Sequence, residues 1–422
     1  MRKKTGSVFY GWWIVAAGSV LVMFGYGTWT YSYGAFFTPI AEEFGWSRAV
    51  TSLAYSFSRV EGGIEGLVTG PLTDKYGPRF MVRIGWTMMA LGFLLMYFIN
   101  SFWMFILSYT VLLSLGGNTG LYLPLQTSVA KWFHKRRGLA LGVLTSGGAL
   151  GGAILVPVTA WLITAYGWRM AVIPLAIASA VLGWGLSFVI KPHGPEHYGL
   201  NMDGSETAPA IVDTSTVSGH AEIKSATGLT LKEALKTPAF WMLSLAFFFA
   251  QTALSAIIVH EIPFLEDMGV SKVLAASALG TMTLMSAPAR LSGGWLADRW
   301  NVKYLYAISC ALQAVGLLIF SQAVNMLWVW IFVVVYGSSY GVRITLEPAI
   351  RANFFGWKAF GAIYGYINAF AVLGSFAGSV FAGWVYDTTG SYEIAFLTFA
   401  GMMIAGGIVV LLIKSPLDRK LA

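Results

Sequence analysis

Long apolar stretches, separated by short polar breaks, follow one another along almost the whole chain. A stretch of about 20 apolar residues crosses the ~30 Å hydrocarbon core of a bilayer as a single α-helix. Twelve such helices are predicted, over residues 10–38, 49–71, 79–99, 102–129, 138–164, 168–190, 238–264, 273–296, 303–323, 326–349, 359–385 and 392–413. The one long polar interruption, 191–236, is rich in Gly, Pro, Ser, Thr and charge and predicts a flexible linker. Its end, LTLKEALKTPAFW, predicts a short amphipathic helix at the membrane surface. The expected plan is an N-terminal six-helix bundle over 1–190, the linker 191–236, and a C-terminal six-helix bundle over 237–422.

Composition agrees with this pattern. The chain is 57% hydrophobic and 11% charged, where a soluble protein carries roughly 25% charged residues, so the expected class is an all-α membrane protein. The start, MRKKTGSVF, is basic and runs into apolar sequence too long for a cleaved signal peptide, so it is expected to open the first span. All but six of the 27 Lys and Arg residues fall on one side of the predicted topology. The exceptions are Arg48, Arg169 and Lys272 on the other side and Arg59, Arg290 and Arg343 within spans. The positive-inside rule then predicts cytoplasmic termini, and the expected location is the plasma (inner) membrane. The net charge of +8 is explained by topology, and the basic residues form no patch of the kind that binds nucleic acid. A single cysteine, Cys310, excludes an intrachain disulfide and a cysteine metal cluster, and no cofactor motif is present.

The two halves repeat. GPLTDKYGPR (70–79) recurs as GWLADRWNVK (294–303) at an offset of 224, GLALG (138–142) matches GAIYG (361–365), and Leu150-Gly151 matches Leu373-Gly374. Parallel six-helix repeats, related by a pseudo-two-fold axis, point to a transporter working by alternating access. The loop signature, its degenerate copy and the six-plus-six plan resemble the major facilitator superfamily over essentially the whole chain. That resemblance implies that Asp74, Lys75 and Arg79, with Asp298 and Arg299 in the second copy, act in conformational gating. The acids lie at helix C-termini, where the dipole disfavours a carboxylate unless something compensates.

A narrower resemblance rests on the start FYGWWIVAAGS, on KWFHKRRGLALGV after span four, and on the R-x-x-x-G pattern of LMSAPARLSGGWLADRW late in span eight. These segments are similar to the monocarboxylate and oxalate–formate transporter branch. The resemblance implies that Arg290 binds a substrate carboxylate. Arginine in mid-membrane costs roughly 2.5–3.5 kcal/mol on insertion scales and does not shed its proton, so it requires water, a counter-charge or a ligand. Its planar fork of donors suits a carboxylate, while the alternative is a salt bridge to an acid on another helix. Two positions depart from the animal monocarboxylate carriers: Tyr31 stands for a lysine in span one and Ser286 for an acid one turn before the arginine. The cation that the oxalate exchanger carries in span eleven is missing from YGYINAFAVLG. One cation in place of two favours a monoanion.

Further polar residues lie within spans. Glu61 and Glu65 share a helix face and form a candidate proton-coupling pair, or are acids paired to basic groups on a neighbouring helix. His260, beside Glu261 near the outer end of span seven, is a candidate pH sensor or gate, or an interfacial residue. Arg343, Glu347 and Arg351 step by four residues with alternating sign, as a self-satisfied ladder, although Arg343 is also a candidate second carboxylate ligand. Asn118, Tyr122 and Gln126 form a polar stripe on span four that offers donors to a substrate or bonds to a neighbouring helix. Tyr31 belongs to an aromatic cluster of span one and is a candidate cavity residue. No Ser/His/Asp set, metal-ligand cluster or nucleotide motif argues for an enzyme. The expected function is secondary transport of a small organic anion, a monocarboxylate first, with proton symport. Anion exchange and proton-driven efflux of another solute are the alternatives, and the expected partners are protons or a counter-anion and the lipid bilayer.

Overall fold

A computed structural model of the chain describes residues 9–133, 136–204, 228–297, 299–356 and 358–416. Among the described residues, twelve long helices follow in order: α1 (Tyr10–Phe44), α2 (Arg48–Tyr76), α3 (Pro78–Tyr97), α4 (Phe102–Trp132), α5 (Arg137–Tyr166) and α6 (Trp168–Ser187), then α7 (Pro238–Asp267), α8 (Lys272–Ala297), α9 (Val302–Ser321), α10 (Met326–Phe355), α11 (Phe360–Thr389) and α12 (Glu393–Leu412). Ten are apolar and long enough to cross a membrane on those grounds alone. The other two, α2 and α8, carry charge within the span: Arg59, Glu61 and Glu65 on one, Arg290 on the other.

Helix ends follow local chemistry. α2 stops at Gly77, whose φ of 81° is a conformation that a side chain resists, and Pro78 opens α3 at a position where its missing N–H costs nothing. Of the linker, two short turns, Pro195–Tyr198 and Met202–Gly204, and the stretch from Gly228 are described. The latter bridges to Gly356 at the end of α10, with Leu229 N–H donating to Phe355 O at 2.9 Å. The predicted amphipathic segment forms the helix Leu231–Leu235, closed by a reciprocal Thr230–Glu233 capping box, and the Thr237 hydroxyl caps α7.

Two compact units emerge: Met1–Ser32 with Ile64–Ala210, and Tyr33–Gly63 with Ile211–Ala422. The helix pairings of the first recur in the second: α1 with α5 as α7 with α11, α3 with α6 as α9 with α12, and α3 with α4 as α9 with α10. Gly151 and Gly374, matched in sequence, do the same work in their units. A Cβ on Gly151 would run into Met23 O of α1, and one on Gly374 into Phe248 O of α7. Small residues thus let the paired backbones touch, which is how helices without a hydrophobic drive between them associate.

The loop repeat also returns as a shared bond. Arg79 Nε donates to Ile190 O at 2.7 Å and its Nη2 to Phe188 O at 2.9 Å, beyond the end of α6. Lys303, its counterpart in the repeat, donates to Ile413 O at 2.7 Å beyond α12. Each cation satisfies carbonyls that have no helical partner and faces the negative end of a helix dipole. Arg79→Met is therefore expected to lower stability by about 1–2 kcal/mol, and Lys303→Met by less because one bond replaces two. Thermal unfolding of the two variants in detergent measures this; equal midpoints for both variants and the parent would contradict it.

Candidate functional site

The site begins with a close approach of two helices. A Cβ on Gly337 of α10 would lie 2.6 Å from Met282 O of α8, one on Gly341 would run into Ser286 O, and one on Gly293 of α8 would lie 3.0 Å from Val342 Cα. The α8 and α10 backbones are in contact along this seam. That approach places the guanidinium carbons of Arg290 and Arg343 6.0 and 5.9 Å from the centre of one ring, Tyr340, which is itself buried. Both distances fall within cation–π reach. The Thr345 hydroxyl donates to Arg290 O at 3.3 Å, a second tie across the seam. Ser286 is buried and donates its hydroxyl to Thr283 O of its own helix at 2.6 Å.

The two arginines differ in environment. Arg343 is fully buried, and its Nη1 donates to Glu347 Oε1 at 2.6 Å. Arg351 approaches the other carboxylate oxygen at 3.5 Å, and its guanidinium carbon lies 4.5 and 4.3 Å from the ring centres of Phe247 and Tyr364. The three side chains form the alternating ladder that their four-residue spacing predicts. Arg290, by contrast, is partly exposed.

In the first unit, Glu65 is buried and accepts hydrogen bonds from Thr69 on its own helix and from Thr119 on α4, the latter at 2.7 Å. Glu61 belongs to the second unit, where Arg59 lies 4.8 Å from the centre of the Tyr55 ring. Tyr31 is buried in a π-helical turn of α1, Tyr26–Tyr31, and Asn118 opens another, Asn118–Tyr122, on α4. Such turns leave the regular α-helical hydrogen-bond ladder and recur at functional sites. The Tyr122 side chain lies outside the described residues.

Residues 33–63 carry a second polar cluster within their unit. His260 on α7 is fully buried, its Nε2 2.8 Å from Ser379 O and 3.1 Å from Ser52 Oγ, and its Nδ1 3.0 Å from the Tyr392 hydroxyl. The carbonyl only accepts, so Nε2 carries the proton it receives. Arg48 donates to the same Tyr392 hydroxyl at 2.6 Å and to Asp267 at 2.8 Å, over the Tyr386 ring. The Asp387 carboxylate accepts from the backbone N–H groups of Arg48 and Ala49 at 2.8 and 2.9 Å, capping the start of α2. The Thr38 hydroxyl donates to Glu266 at 2.6 Å. His260 is thus buried and hydrogen-bonded within its unit.

Comparison with known proteins agrees with this architecture. The family model described as Major Facilitator Superfamily matches residues 15–350. The chain belongs to the Major Facilitator Superfamily. Among its relatives, the chain is similar to monocarboxylate transporter 12 of Xenopus laevis, 26% identical over 96% of this chain and 89% of that protein. It is also similar to an MFS-type transporter of Gibberella moniliformis, 27% identical over 81% of this chain and 77% of that one. The fold resembles the crystal structure of a bacterial homolog of the human lysosomal transporter Spinster, with a TM-score of 0.70 over 96% of both chains at 14% identity. This facilitator is a membrane transporter and not an enzyme.

The facilitator's loop residues divide by environment. Arg79 is the cap described above, Lys75 is exposed with its amine 5.0 Å from the Tyr76 ring centre, and Arg299 is exposed over Trp295 at 3.9 Å. Asp298 and the Asp74 side chain lie outside the described residues. Sequence reasoning missed Tyr340, Arg48, Asp267, Asp387 and Tyr392. One signal was available for Arg48, as a rare basic residue on the sparsely charged side of the topology. Tyr340, one turn before Arg343, looked like any apolar-face aromatic.

Proposed function

We propose that this facilitator carries a small organic anion, a monocarboxylate, with Arg290 as the carboxylate ligand and protons as the coupled ion. The observation that carries the reading is the α8–α10 seam, where Arg290 is partly exposed near Tyr340 while Arg343, near the same ring, is buried against Glu347. Of the two residues, Arg290 is the more exposed, and a guanidinium fork matches a carboxylate bidentately. The named relative, similar along nearly its whole length, supports the same substrate class. Tyr31, Asn118 and Tyr122 are proposed to supply hydroxyl and amide donors to the rest of the substrate, with Arg343 as the guanidinium that holds Tyr340 in place. Glu61, Glu65 and His260 are the candidates for proton coupling, and Asp74, Lys75, Arg79, Asp298 and Arg299 for gating.

Residues 33–63 belong by sequence to the first repeat yet are bonded to helices of the second. Alternation between the repeats would have to open the Arg48, Asp387 and His260 cluster, which makes it the outer latch of the cycle. An inside-negative potential opposes anion entry by about 2.3 kcal/mol per charge per 100 mV, so concentrative uptake of a monoanion needs a co-transported cation or an exchanged anion. The test is uptake into liposomes containing the purified protein, with labelled lactate, pyruvate, acetate and oxalate, with and without an inward proton gradient. Gradient-stimulated uptake of the monoanions over oxalate is expected. Uptake of oxalate alone, or stimulation by a preloaded anion and not by protons, would replace symport of a monoanion by exchange.

A further inference from the structure

A cavity of about 580 Å³ opens where the linker returns to the membrane domain, between the short helix Leu231–Leu235, the start of α7 and the end of α12. It lies apart from the α8–α10 seam, and nothing in the transport reading uses it. Its walls are mainly apolar, formed by Leu229, Pro238, Met242 and Leu412 among others, and two lysines, Lys236 and Lys414, complete the lining. Both lysines are exposed. The acid in the lining, Glu233, is already committed to the capping box, where its Oε2 accepts the Thr230 N–H at 2.7 Å. The volume falls in the range that buries most of a drug-sized ligand.

This combination separates the candidate ligands by chemistry. A soluble anion has no use for the apolar wall, and a neutral lipid has no use for two exposed cations. By the asymmetry of basic residues this end of the helices faces the cytoplasm, on which the inference rests, and anionic lipid is the partner that juxtamembrane lysines attract there. We propose that the cavity holds one anionic phospholipid, its phosphate between Lys236 and Lys414 and its glycerol and upper acyl chain against Met242 and Leu412. The linker end is fixed at this point by the Gly228–Gly356 bridge, so a bound lipid would join the linker, α7 and α12 at one site.

The experiment is native mass spectrometry of the full-length protein in mild detergent, titrated with phosphatidylglycerol or with phosphatidylcholine. Retention of one phosphatidylglycerol in preference to phosphatidylcholine is expected. Lys236→Gln with Lys414→Gln should weaken that retention roughly 30-fold, the combined effect of two lysines near an anionic headgroup. Met242→Trp should displace the lipid with both charges intact, because it fills the cavity. Lys232→Gln, a basic residue on the same short helix but outside the lining, should change nothing. The proposal is overturned by equal retention of the two lipids, by loss of retention in Lys232→Gln as large as in the double variant, by full retention in Met242→Trp, or by displacement with millimolar inorganic phosphate. None of these outcomes depends on which solute is transported.

Discussion

Arg290→Ala is expected to abolish gradient-stimulated monocarboxylate uptake while leaving the protein as stable as its parent. A charged, bidentate hydrogen bond to a carboxylate contributes about 1.5–3 kcal/mol per bond, so its loss raises KM by roughly 10- to 100-fold or more. Stability should not fall in step. Alanine is the better helix former, and removing a guanidinium from the middle of a span relieves an insertion cost of roughly 2.5–3.5 kcal/mol. Arg290→Lys should recover part of the binding, since it keeps the charge and loses the fork. The measurements are uptake kinetics in liposomes and thermal unfolding of the same preparations. A variant that transports with unchanged KM and unfolds several degrees earlier would show that Arg290 is a structural ion-pair residue, and the anion reading would lose its main support.

Glu347→Ala is expected to be the most destabilising single change at the seam. The Glu347 carboxylate holds Arg343 at 2.6 Å and reaches Arg351 at 3.5 Å, and both guanidiniums are almost completely buried. Removing that carboxylate takes an acidic partner from two buried guanidiniums, and breaking a buried pair costs about 3–5 kcal/mol. Glu347→Gln should cost less because the amide oxygen still accepts a hydrogen bond. Arg343→Met combined with Glu347→Leu should restore much of the stability, since a packed apolar pair removes the desolvation penalty with the charge. That double variant also separates roles for Arg343. If it is stable and transports the monoanion with unchanged KM, Arg343 is scaffold; if it is stable and binding is lost, Arg343 is a substrate ligand. A Glu347→Ala protein that unfolds at the parental temperature would contradict the ladder.

Much of this molecule was legible along the chain. Hydrophobic run length located the twelve helices to within a few residues at most ends, because a helix that crosses lipid needs a predominantly apolar run of about 20 residues. The largest overruns are at α1, which continues through Pro39 to Phe44, and at α2 and α10, which extend several residues beyond their apolar cores. The repeat was readable as matched residues at an offset of 223–224, and Arg79 and Lys303, matched in it, each cap the end of the sixth helix of its half. The four-residue spacing of Arg343, Glu347 and Arg351 likewise sufficed to predict their pairing, since those contacts lie within one helix.

What the chain could not show was which residues distant in sequence would meet. His260 bonds to Ser52 across 208 positions, and Arg48 to Asp387 across 339, and no periodicity within a helix encodes either choice. The same limit hid the sharing of Tyr340 by Arg290 and Arg343, which depends on Gly337 and Gly341 admitting the backbone of α8. It also hid that residues 33–63, part of the first repeat by sequence, are packed with the second. Sequence alone determined the helices, their number and their repetition, because lipid solvation and backbone hydrogen bonding act on each segment by itself. The partners of the buried charges were decided by the tertiary structure, because they depend on which backbones approach closely enough to bring those side chains within reach.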